Sequence, residues 1–164
     1  MSKQVYLLLA HIIIFIISIF GLIHLHSFEG NDIIEIITAI FHFLLVLSFY
    51  LVSGYLITRK TEKFQLKQYW IITFIGICIW LAAFINSPTD LNWKKGNDGI
   101  LWFLYRIYVV PTELPFCFSD YFKTHQLNTV IRHVFLISFS IIPSVMQAIG
   151  GFLKTQTVSQ ESKL

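Results

Sequence analysis

The chain is 164 residues long, 55% hydrophobic and 16% aromatic, with a formal net charge of +3. A mean hydropathy of +0.69 is more apolar surface than a soluble domain of this size can bury, and a pI near 8.9 makes no case for nucleic acid. Period-2 alternation and regular turns are absent, which argues against a β-barrel. The expected class is all-α, a polytopic helical membrane protein with four to five transmembrane helices. Residues 1–154 form the integral membrane domain and 155–164 a polar, frayed tail.

The first apolar run, residues 5–26, follows Lys3 and ends in His24-Leu25-His26-Ser27. It is longer than the apolar region of a signal peptide and offers no small-residue cleavage site, so it reads as an uncleaved first span. The connection after it holds only Glu29 and Asp32 as charges. The second span, 36–58, belongs to an apolar run that carries Glu35, His42 and Ser53. At 100° per residue these three fall within about 20° of one another, a polar stripe on a greasy rod. Ionisable groups are costly against lipid, so the stripe is expected to face other helices or a water-filled cavity. Gly54 beside it would let a helix or a ligand approach the backbone closely.

Arg59, Lys60, Lys63 and Lys67 follow. Their contrast with the acidic first connection places the N-terminus and this second loop in the cytoplasm of a cell with a multi-pass protein in its plasma membrane. A third span covers 69–85, and 130–153 is the last, opened by Arg132-His133 at the interface. Between them, 99–119 is long enough to cross but contains Arg106, Pro111, Glu113 and Pro115. If it crosses, there are five spans and the C-terminus lies outside, with Arg106 pairing with Glu113 along one helical face. If it does not, there are four and the C-terminus lies inside. Cys78 and Cys117 sit in different apolar segments and read as small apolar residues.

Three segments taken together resemble acyltransferase family 3, membrane enzymes that acylate carbohydrates of the bacterial envelope. They are His24-Leu25-His26-Ser27, then Phe41-His42-Phe43 with Phe49-Tyr50-Leu51-Val52-Ser53-Gly54-Tyr55-Leu56-Ile57, then Leu101-Trp102-Phe103-Leu104-Tyr105 with Tyr108 and Pro111. The resemblance covers nearly the whole chain but only the N-terminal half of that family's domain, and it favours five spans. It departs where the family carries an arginine three turns before the helix-one histidine. Phe15 lies in that region here, and Ile100 stands where the family often has histidine.

The resemblance implies transfer of an acetyl or similar group from acyl-CoA to a polysaccharide or glycolipid hydroxyl, with acyl-CoA as co-substrate and no bound cofactor or metal. His26 would be the base, since imidazole titrates near neutrality, oriented by Glu29, Asp32 or Glu35. His42, Ser53, Tyr55, Trp102 and Arg106 would line the acceptor site. Arg59, Lys60, Lys63 and Lys67 would match the donor's phosphates, although positive-inside topology is sufficient by itself to explain them and is the favoured account. Expected partners are the bilayer, the glycan or glycolipid acceptor, and another copy or a second chain supplying the missing helices. The alternative is a shortened, inactive relative acting as an accessory, immunity or regulatory membrane protein. A bis-histidine haem protein or a metal transporter is a third class, with His26 and His133 as the pair for haem.

Overall fold

The computed structural model describes residues 2–25, 32–59, 63–86, 99–117 and 129–161, and among these every regular element is helical. In chain order they are α1 (Lys3–Leu25), α2 (Asp32–Ile57), a 3-10 turn (Leu66–Tyr69), α3 (Ile71–Asn86), α4 (Ile100–Cys117) and α5 (Thr129–Glu161). Three stretches are long and apolar enough to cross a membrane: Lys3–Gly21, Ile36–Ile57 and His133–Thr157. Helix α3 is apolar but shorter. The outward faces match that reading, with Phe20, Phe41, Leu56, Phe74 and Ile85 all more than 60% exposed. Side chains that a soluble protein would bury are here the outer surface.

The contacts give each helix a direction. His11 of α1 meets Tyr50 of α2, and Gly21 meets His42, so these two run antiparallel. Gln147 of α5 lies against Gly54 of α2 and donates to the Leu7 carbonyl of α1. At one end of the bundle Gly151 of α5 abuts Tyr69 and Thr58, while Lys3 donates to the Tyr69 hydroxyl at 2.8 Å. At the other end His133, near the start of α5, packs against Trp80 and Phe84 of α3 and Trp102 of α4. Helix α5 therefore runs parallel to α2, towards the end where α1 begins.

Helix α4 is the unusual element. It touches all four other helices and supplies Trp102, Tyr105 and Val109 to the main apolar cluster, with Ala83, Leu136 and Phe139. Tyr105 donates to the Leu136 carbonyl at 2.5 Å, and its hydroxyl lies 2.9 Å from that of Ser140. Thr112, seven residues on, donates to the Phe139 carbonyl at 2.9 Å and shares that hydroxyl with the Val109 carbonyl of its own helix at 3.1 Å. Two turns of α4 thus advance almost nothing along α5, so α4 lies obliquely across it.

Pro143 inside α5 explains the docking point. Proline has no N–H, which frees the carbonyl four residues earlier, that of Phe139. In an apolar interior a freed carbonyl must find another donor, and the Thr112 hydroxyl is that donor. Arg106 and Glu113 pair at 3.1 Å along the same helix, with the carboxylate buried and the guanidinium about a third exposed.

One expectation changes. The segment 155–164 is not a frayed tail from its start, because α5 continues to Glu161. Thr155 donates to the Phe152 carbonyl and Thr157 to that of Leu153, so both hydroxyls bond back into the helix rather than breaking it.

Candidate functional site

His42 and Ser53 of the polar stripe on α2 turn inward, though they do not meet. His42 is buried, with its ring filling the space beside Gly21 of α1, where a Cβ would collide with it. Its Nε2 is buried without a hydrogen-bond partner among the described residues. Ser53 lies eleven residues, or about 16 Å of helix, further along. Its hydroxyl donates to the Tyr50 carbonyl and accepts from Gln147 at 3.3 Å. Glu35 belongs to α2, but its side chain lies outside the described residues, as do His26, Glu29 and Lys60.

The remaining candidates are scattered. Tyr55 lies under the ammonium of Lys154, 4.1 Å from the ring centre. Trp102 is buried at the opposite end of the bundle, edge-on to Tyr105 and tilted against His133. Arg106 is taken up by Glu113. The five residues expected to line an acceptor site therefore meet five different partners and not one another. Arg59, Lys63 and Lys67 are exposed and lie at the end of the bundle where Lys3 meets Tyr69.

What does converge is a set the sequence reading left unassigned. The hydroxyl of Tyr50 lies 2.7 Å from Nδ1 of His11. Tyr108 tilts its ring over His11, at 4.8 Å between centroids, and donates to the Ile72 carbonyl at 2.7 Å. One imidazole thereby ties α1 to α2 and α4, and one tyrosine ties α4 to α3. A lone glutamine in the apolar run of the last helix was the available signal for Gln147. His11 had a similar one, standing seven residues from Ser18 on a single face.

His11, Tyr50 and Tyr108 are engaged with one another or with backbone, which is the pattern of interhelical glue. The open space lies elsewhere, in an apolar groove of about 310 Å³ between α2 and α5, lined by Phe43, Leu47, Ser138, Ile141, Ile142, Val145 and Met146. Among the described residues no group of three or more His, Cys, Asp or Glu side chains could hold a metal. No protein-family model, curated protein or solved structure matches this chain.

Proposed function

We propose that the chain is a multi-pass membrane protein that works by packing, as an accessory or regulatory partner built on an acyltransferase-3-like N-terminal scaffold. The observation that carries this reading is the dispersal of His42, Ser53, Tyr55, Trp102 and Arg106, each engaged with a different residue of the bundle: Gly21, Gln147, Lys154, His133 and Glu113 in turn. Four crossings accompany it, by α1, α2, α3 and α5, in the plasma membrane. The basic end of the bundle faces the cytoplasm with both chain ends, by the positive-inside rule. Helix α4 enters from the outer side and docks on the carbonyl freed by Pro143. Irregular or tilted backbone at that depth is tolerated when protein covers it.

The enzymatic reading keeps one specific support. His24-Leu25-His26-Ser27 resembles the ending of that family's first helix, and His26 would be its base. It would take a sugar hydroxyl's proton as that oxygen attacks the thioester carbonyl of acyl-CoA, forming the sugar ester as the C–S bond breaks, and would return the proton to the departing CoA thiolate. Cells lacking their own envelope acylation, expressing either the natural chain or His26→Ala, separate the two readings. Labelled acyl groups should enter envelope polysaccharide at background level in both. Incorporation that depends on His26 would overturn the accessory reading.

A further inference from the structure

The basic end of the bundle is more organised than topology alone requires. Tyr69 is fully buried at its centre. Its hydroxyl receives Lys3 Nζ at 2.8 Å and lies 2.7 Å from the Thr58 hydroxyl, while Lys3 also sits over its ring at 4.4 Å. Lys3 donates further to Gln68 at 3.0 Å. Phe64 stacks on Tyr69 and meets Phe152 edge-on. Because Thr58, Phe64 and Tyr69 are in contact, their neighbours Arg59, Lys63 and Lys67 are drawn to one end of the bundle, and all three are exposed. Lys154 joins them, three residues beyond the Gly151 that abuts Tyr69.

Apolar groups surround these cations. Leu66 is 50% exposed and Phe152 43%, and Trp70 is half-buried at the start of α3. Between Glu35 and Asp90 the sequence sets one acidic residue, Glu62, against Arg59, Lys60, Lys63 and Lys67. A solvated loop has no need of exposed leucine and phenylalanine beside its lysines. A surface lying at the headgroup level of a bilayer has a use for both, cations at the phosphates and apolar side chains in the acyl region.

We propose that the Tyr69-centred end is a binding site for the headgroup of an anionic phospholipid, with Arg59, Lys63 and Lys67 matching the phosphate and Leu66 and Phe152 holding the first methylenes. Tyr69 fixes the platform by tying the connection to α1, α2 and α5 at once. Charge complementarity selects this occupant, because a zwitterionic headgroup sets an ammonium against the cations. The site does not depend on whether the chain is an enzyme or an accessory protein.

The test uses the full chain in bilayer discs of phosphatidylcholine containing a minor fraction of brominated phosphatidylglycerol or brominated phosphatidylcholine. Bromine quenches tryptophan at contact, and Trp70→Phe protein gives the background from the other three tryptophans. Quenching of Trp70 should be several-fold stronger with the anionic lipid. Arg59→Gln with Lys63→Gln and Lys67→Gln should remove that preference while leaving quenching by phosphatidylcholine unchanged, which shows the bundle intact. Lys63→Arg with Lys67→Arg should retain it. Equal quenching by both lipids would overturn the site, as would a preference that survives the triple neutralisation. Displacement of the anionic lipid by micromolar free acyl-CoA would also overturn it, assigning the patch to a soluble donor instead.

Discussion

Single residues in this bundle are constrained by how closely their helices approach. A Cβ placed on Gly54 would meet the backbone of Gln147, and one on Gly150 the backbone of Leu51 and Tyr55. Backbone cannot rotate away, so Gly54→Ala should force α2 and α5 apart and cost about 1–3 kcal/mol. At Gly21 the obstacle is the His42 ring, which can turn about its own bonds. Gly21→Ala should therefore cost clearly less, its clash offset by alanine's helix preference of about 0.5–1 kcal/mol. Reversible unfolding in mixed detergent micelles measures both, and an equal loss at the two positions would contradict the distinction. Close approach at Gly54 is legible in the sequence, since a glycine on the polar face of an apolar helix has few other uses. The Tyr50 hydroxyl as the partner of His11 is not, because nothing local relates residues 39 apart.

Among the elements, the long apolar helices follow directly from hydropathy, and the ion pair of Arg106 with Glu113 follows from their seven-residue spacing. The path of α4 does not. It depends on a proline in one helix and a threonine in another, joined through a carbonyl that no hydropathy scale sees. Thr112→Val should leave the Phe139 carbonyl buried without its side-chain donor and cost about 1 kcal/mol. Pro143→Ala restores an N–H four residues beyond that carbonyl, so in its background Thr112→Val should cost less than half as much. A double-mutant cycle on unfolding free energies reads the difference. Strictly additive losses would mean that Thr112 docks there for another reason.

At the scale of the whole molecule the acyltransferase-3-like segments and the helix directions lead to different chain paths. If Leu101-Trp102-Phe103-Leu104-Tyr105 opens a crossing helix, as in that family, the last helix must run outward. In the bundle, α5 instead runs parallel to α2, with Gly151 beside Tyr69 and Thr58 and His133 beside Phe84. Sequence left this open because α4 has the length of a span and the charges of a loop. The tertiary contacts of Tyr105, Tyr108 and Thr112 draw it into the interior without requiring it to cross. The accessory reading depends on that path, since the proposed four-crossing bundle would use Tyr105, Tyr108 and Thr112 for packing.

Reporter fusions after residue 161 test this most directly, using a fluorescent protein that matures only in the cytoplasm and a phosphatase active only outside it. The account predicts fluorescence without phosphatase activity, with the same fusions at residue 88 giving the reverse. Phosphatase activity at residue 161 together with a dark fluorescent fusion would place the end of α5 outside, and would contradict both the four-crossing bundle and the scaffold role drawn from it.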